Sequence, residues 1–300
     1  MTWWGAGALS LAMFLTACGS SPPGTPAAAP PGSAVPVVAS TNVYGDIAKQ
    51  IAGDRAAVTS IISNPDADPH SYEANTRTQL ELSKAEVVIE NGGGYDDFVD
   101  TMLQSAGGSP KVINVVDVSG RKAAGGEELN EHVWYDLATV RQLADRLAAA
   151  LGEADPAGAP TFTANAAAFK QKVEQLQARE AAIKAAHPGA GVAITEPVPL
   201  YMLQACGLVN KTPDEFSEAI EEGTDVPADV LRETLDLFAH KDVALLAYNE
   251  QTSGPQTRKV LDAARAAGVA VVPVTETLPA GKDYLTWMGD NLTAIETALR

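Results

Sequence analysis

From Pro160 to Ala186 the chain is rich in Ala, Lys, Gln and Glu. After its proline it holds no Gly or Pro until it meets His187-Pro188-Gly189. These are strong helix formers, with proline at the start and Pro-Gly past the end. About 27 residues at 1.5 Å each make a rod of roughly 40 Å. A rod of that length, in the middle of a chain of 300 residues, divides it into two parts. Whatever folds on either side must be attached to it.

Both parts alternate strand-like and helix-like runs. Before the rod, VPVVAST (Val35 to Thr41), AAVTSIIS (Ala56 to Ser63), AEVVIENGGG (Ala85 to Gly94) and KVINVVDVS (Lys111 to Ser119) read as strands. Helical stretches lie between them at residues 43–53, after Tyr72 and at 95–106. An amphipathic helix from Leu137 to about Leu151 starts at Asp136, a good N-cap. After the rod, GVAITEPV (Gly191 to Val198), DVALLAYNE (Asp242 to Glu250) and GVAVVPVTE (Gly268 to Glu276) are strands. Helices are expected near 199–206, 214–222, 227–239, 255–267 and 282–299. The strands are Val/Ile-rich rather than alternating, as parallel strands covered on both faces are. The expected class is α/β: two open parallel-sheet α/β lobes joined by a single long rigid helix. No sequence repeat relates the lobes.

The start of the chain has a different character. Thr2 to Cys18 is apolar and short for a membrane span, and Leu15-Thr16-Ala17-Cys18 resembles a bacterial lipobox. In such signals the cysteine is lipidated and becomes the first residue. One departure is that no Lys or Arg precedes Cys18. Gly19 to Ala34 is almost all Gly, Ser, Pro, Ala and Thr, a composition that buries no core and makes a linker. The expected organisation is a signal peptide at 1–17, a lipid-anchored flexible linker at 18–34, an N-terminal lobe at 35–157, a linking helix at 158–188 and a C-terminal lobe at 189–300. The formal net charge of −17 gives no electrostatic footing for nucleic acid. With Cys18 in a processing signal, Cys206 stands alone, and on an apolar helix it reads as a small core residue.

Four residues stand where an α/β sheet gathers ligands, beyond the carboxyl ends of its strands. His70 lies in DADPHSYEA after the second strand, and His132 in NEHVWYDL ahead of a helix. Glu196 and Glu276 close strands of the second lobe, in ITEPVPLYM and PVTETLP. Taken singly, each is equally a polar loop residue or a solvated strand end, and their spacing forms no local metal motif. Asp68, Asn130 and Asp136 flank the histidines as partners that could orient the rings, or as turn and cap residues. Trp134 and Tyr72 are expected on the floor of the site. His187 and His240 sit near helix ends, a favourable place for a partly charged histidine.

DPHSYEA, NEHVWYDL and TEPVPLYMLQACGL resemble the signature segments of the metal-binding solute-binding proteins of bacterial ABC importers, the manganese/zinc type. The resemblance runs from about Val35 to Leu299 and includes the long joining helix and the closing DYLTWMGDNLTAIETAL. It implies a ligand site in the cleft between lobes, with His70 and His132 as ligands from the first lobe. The third family ligand stands eleven positions before a Gly-Leu pair, which here makes it Glu196, before Gly207-Leu208. The fourth is an acidic residue after the last strand, where Glu276 falls. Glu276 replaces the usual aspartate, and Asp283 is the nearby substitute. Ala74 and Leu137 stand where proline is usual.

Two neutral imidazoles and two carboxylates would balance a divalent cation, which a buried site requires. Such donors suit manganese, iron or zinc better than calcium, and the lack of thiolate argues against copper(I). The carboxylate at position 196 leans slightly to Mn2+ over Zn2+. The implied function is that of an extracytoplasmic receptor, anchored to the cell membrane as a lipoprotein, not an enzyme and monomeric. It would capture one divalent transition metal and deliver it to an ABC importer permease. The alternatives are a zinc hydrolase, with Glu276 as general base, and a surface adhesin lipoprotein. No HExxH, GxSxG or cysteine–histidine signature supports the hydrolase.

Overall fold

The computed structural model describes residues 1, 34–67, 69–123 and 129–300. Cys18, most of the linker and Asp68 lie outside these residues. The first lobe begins with β1 (Val35–Thr41), which passes directly into α1 (Asn42–Ala52). Then follow β2 (Ala56–Ile62), α2 (Thr76–Ser83), β3 (Val87–Glu90), α3 (Phe98–Ala106) and β4 (Lys111–Asn114). All pairings are parallel, and the sheet order is β2-β1-β3-β4. In register, Val37 of the central strand lies between Val58 and Val87. Val37, Val87 and Ile89 are fully buried, as continuous apolar strands with two covered faces should be.

The run expected as a fourth strand over Lys111–Ser119 ends at Asn114. There the Asn114 side chain accepts from the Asp117 amide, 3.0 Å away, and caps a short helix, α4 (Val115–Ser119). Side-chain capping by asparagine wins over the β-propensity of the valines. Next, α5 (Leu137–Ala154) starts at Asp136, whose Oδ1 accepts from the Ala138 amide at 3.1 Å.

The rod is α6, 28 residues from Ala159 to Ala186. Phe162, Ala166, Phe169, Val173, Leu176, Glu180 and Ile183 are its buried residues, at alternating steps of four and three, so they form one stripe. The second lobe contains β5 (Gly191–Ile194), α7 (Leu200–Ala205), β6 (Val209–Asn210), α8 (Asp214–Glu221), α9 (Ala228–Ala239), β7 (Leu245–Asn249), α10 (Pro255–Ala267), β8 (Ala270–Val274) and α11 (Tyr284–Ala298). Its strand order, β6-β5-β7-β8, matches the first lobe's topology although no sequence repeat announces it. The two-residue β6 was not anticipated.

The last helix returns to the first lobe. The Tyr284 hydroxyl donates to the Trp134 carbonyl (2.6 Å), and the Tyr284 amide to Asp46 (2.8 Å). Arg179 of α6 donates to the Gly289 carbonyl at 2.9 Å and to Glu296 at 3.1 Å. One apolar cluster runs through both lobes, including Ile89 of β3, Phe169 of α6 and Ile194 of β5. Cys206 belongs to that cluster, and burial pushes its thiol up to about 12.

Candidate metal centre

His70 reaches the cleft through a tight turn. After β2 the chain bends, and Pro69–Ser71 forms a single 3-10 turn closed by the Tyr72 amide on the Pro69 carbonyl at 3.1 Å. Pro69 is buried and its ring fixes φ, so the direction of His70 is set by the residue before it. Downstream, Asn75 caps α2 through the amides of Arg77 and Thr78. Tyr72 does not line the cleft floor. Its ring packs on Phe98 at 4.8 Å, and its hydroxyl meets Thr78 at 2.8 Å.

His132 is fully buried, its ring 5.0 Å from that of Trp134, which does form the floor. Asn130 Oδ1 accepts from the His132 amide at 3.0 Å and sits 2.8 Å from Nδ1. The Asn130 amide nitrogen donates across the cleft to the Pro197 carbonyl at 3.0 Å, which identifies the oxygen facing His132. Nδ1–H therefore faces Asn130, and Nε2 is the nitrogen turned into the site, where loss of its proton frees a lone pair for a cation. Asp136 has no such orienting role: it caps α5 and pairs with Arg121 at 2.7 Å.

Glu276 follows β8 and is 1% exposed. Its amide donates to Gln251 Oε1 at 2.5 Å, and its Oε1 accepts from Asn249 at 2.9 Å. One carboxylate oxygen is thus fixed by the second lobe. The other, Oε2, faces the first lobe, 3.4 Å from His70 Nε2, 3.7 Å from His132 Nε2 and 3.3 Å from the Tyr95 hydroxyl. Tyr95 arrives there through the turn Gly92-Gly93-Gly94, all at positive φ. A Cβ on Gly92 would lie 2.2 Å from Asn114, so the turn requires glycine.

Donor atoms of His70, His132 and Glu276 all lie within 4.8 Å of one another. Glu196 is buried beside them, but its Oε2 accepts a hydrogen bond from Thr252, and it belongs to no such group among the described residues. Asp283 is turned to another task, capping α11 through the Thr286 amide at 2.7 Å. Glu221, the last residue of α8, was not among the expected site residues. Its Oε1 lies 3.4 Å from His132 Nε2 and 4.0 Å from His70 Nε2. Glu221 also forms a second group with His70 and Glu131.

The charges of the site are coupled. Burial would lower His132, but the facing carboxylates of Glu276, Glu221 and Glu131 outweigh it and raise the imidazole to about 9. His70 is raised for the same reason, against its own burial. Burial would raise Glu276, yet the imidazoles of His132 and His70 hold it well below the usual carboxylate range. Glu196 and Glu221, where burial dominates, are both pushed up to about 7. Two imidazoles and converging carboxylates without a thiolate form a donor set for a divalent transition metal.

Comparison with known proteins places the chain in a family. The sequence profile of the ZnuA family, "Zinc-uptake complex component A periplasmic", matches residues 37–298. The Manganese-binding lipoprotein MntA of Halalkalibacterium halodurans is 29% identical over 171 residues, 56% of this chain and 54% of that protein. The Iron-binding protein YfeA of Yersinia pestis is 29% identical over 145 residues, 47% of this chain and 46% of that protein. The matched stretch thus spans about half the length of these curated relatives. The solved structure of the periplasmic zinc binding protein TroA from Treponema pallidum superposes with a TM-score of 0.74, at 21% identity, over 88% of this chain and 98% of that one. The chain belongs to the ZnuA family of periplasmic metal-uptake components.

Proposed function

From that membership, we propose that the protein is the extracytoplasmic receptor of an ABC importer, capturing one divalent transition-metal ion and delivering it to a membrane permease. The observation that carries this is the convergence of His70 Nε2, His132 Nε2 and Glu276 Oε2 at the junction of the lobes. The two histidines come from the first lobe and the glutamate from the second, so a cation joining them ties the lobes together. Glu276 takes the place of the family's aspartate. Its extra methylene is accommodated because Asn249 and Gln251 hold the carboxylate and its amide.

Manganese or zinc is the cargo, with a slight lean to manganese because a carboxylate, Glu196, stands at the third ligand position of the family. Relatives named for manganese, iron and zinc support the class of metal. Zinc accepts carboxylate oxygen too and outcompetes manganese at most nitrogen and oxygen sites. Relatives named as lipoproteins support lipidation at Cys18, which with the linker to residue 34 would hold a monomeric body close to the membrane. No helix among the described residues is long and apolar enough to cross a membrane. The family description is one of uptake, which stands against the hydrolase alternative.

Thermal unfolding tests the reading. Chelator-stripped protein with Mn2+ or Zn2+ at a hundredfold excess over Kd should gain about 2.7 kcal/mol of stability. His70→Ala should lose most of that gain. A stripped wild-type protein that neither metal stabilises would refute the receptor assignment.

A further inference from the structure

We propose that His70, Glu131 and Glu221 form a second, weaker site for a divalent transition-metal ion at the mouth of the cleft, which meets the incoming cation and hands it through His70 to the inner donors. This rests on the metal-receptor reading above and adds a station to it.

A cavity shows where an ion arrives. A space of about 860 Å3 opens beside the inner donors, and His70, Glu131 and Glu221 all line it. His132, Glu196 and Glu276 do not. Of the four expected ligands, His70 alone faces both the cavity and the inner group. Exposure follows the same order. The side chains of His132 and Glu276 are 0% and 1% exposed, those of His70 and Glu221 25% and 15%. An ion entering from solvent meets His70 and Glu221 before it meets His132 or Glu276.

The outer donors suit a cation. Donor atoms of His70, Glu131 and Glu221 all lie within 4.8 Å of one another, and His70 Nε2 stands 4.0 Å from Glu221 Oε1. One neutral imidazole and two carboxylates balance the charge of a divalent ion. Three such donors leave the remaining positions of a transition metal to water, so the ion is held loosely.

Two buried atoms point independently to a ligand passing between the groups. Glu221 Oε1 has no hydrogen-bond partner, and neither has Nε2 of the fully buried His132, 3.4 Å from it. Buried polar atoms without partners are costly, and native structures keep them where they serve a purpose. Glu221 Oε1 thus faces His70 on one side and His132 on the other. Because the outer and inner groups share His70, the protein holds one ion at a time.

The cavity also draws cations in. Asp214, Glu218 and Glu222 line it, against Arg121 and Lys122, and Arg121 is paired with Asp136 at 2.7 Å. A cleft lined mainly by one sign of charge concentrates counter-ions and speeds their arrival, an effect that salt screens. Direct bonding by Glu131 and Glu221 survives salt, which separates the two contributions.

Co2+ is the probe. A His132→Ala, Glu276→Ala variant lacks the inner group but keeps the outer one, and circular dichroism checks its fold. In equilibrium dialysis it should still bind one equivalent of Co2+, more weakly than wild type. Adding Glu131→Gln should weaken that binding by at least the roughly tenfold that loss of a supporting residue costs a metal site. Adding Glu222→Gln should change it by less than about twofold, since Glu222 lies outside the donor group. Stopped-flow quenching of tryptophan fluorescence by Co2+ then reads the route in the otherwise intact protein. In 1 M salt, where the screening length is about 3 Å, Glu131→Gln should slow association at least about fivefold relative to wild type, and Glu222→Gln should not. A folded double variant that binds no Co2+, binding indifferent to Glu131→Gln, or association equal to wild type in Glu131→Gln would each overturn the outer site. A wild-type protein that binds no Co2+, Mn2+ or Zn2+ would instead overturn the receptor reading beneath it.

Discussion

Asn130 Oδ1 lies 2.8 Å from Nδ1 of His132, and this contact decides which nitrogen of the ring faces the cleft. The same side chain donates to Pro197 of the opposite lobe. One residue therefore fixes both the tautomer of a proposed ligand and a bond across the cleft. Asn130→Ala frees the ring to rotate and should weaken metal affinity about 10–100-fold. A competition titration against a metallochromic chelator measures it. An affinity within twofold of wild type would show that the ring is held by packing against Trp134 alone.

Gln251 makes a broader clamp. Its Nε2 donates to the carbonyls of Pro65 (3.1 Å) and Ala67 (2.9 Å), in the loop that leads to His70. Its Oε1 accepts from the Glu276 amide. One side chain so positions donors from both lobes. Gln251→Ala should cost about 1–3 kcal/mol through the buried groups it leaves unpaired, read from urea unfolding. Metal dissociation should quicken in parallel, as seen by stopped-flow chelation; an unaltered rate would show that the loop holds its place without the clamp.

The pH dependence of the metal-free protein has a definite sign. His132 is raised from 6.5 to about 9, so its contribution to stability is complete below pH 6.5 and is lost as pH rises through 9. Glu196 and Glu221, raised from 4.5 to about 7 by burial, act in the same direction from pH 4.5 upward. Metal binding has the opposite slope, because donors must lose their protons. Between pH 6.5 and 9 the metal-free protein should become less stable while its affinity for metal rises. At pH 7, calorimetry in buffers of different ionisation enthalpy should show proton release on binding. No proton release would mean that the imidazoles are already neutral without metal.

Gly92 has φ +77° and no room for a Cβ beside Asn114. Gly92→Ala should destabilise the protein by more than about 1 kcal/mol, since alanine does not tolerate this positive φ. It should also move Tyr95, which touches both His70 and Glu276. A melting temperature equal to wild type would show that the turn relaxes easily.

Much of this was legible in the sequence, for physical reasons. Continuous Val/Ile runs marked the parallel strands, and the unbroken helix formers marked α6. His70, His132 and Glu276 stood at strand ends or in the loops beyond them, where α/β sheets gather ligands. What could not be read depends on side-chain direction or on distant neighbours. Nothing in TEPV reveals that Thr252, fifty-six residues on, engages Glu196. Lys111–Ser119 looked like one strand because the capping bond of Asn114 competes locally with the sheet. Glu221 was not singled out, because only the fold brings it beside His70 and His132.

The central claim, one divalent transition-metal ion held between the lobes, is tested most directly by counting bound metal. Chelator-stripped protein is incubated with Mn2+ and Zn2+ together, passed over a desalting column and analysed for elements alongside a His70→Ala, Glu276→Ala variant. The account predicts one equivalent of metal per wild-type chain and close to none in the variant. Wild-type protein that emerges without metal, or a variant that retains a full equivalent, would contradict it.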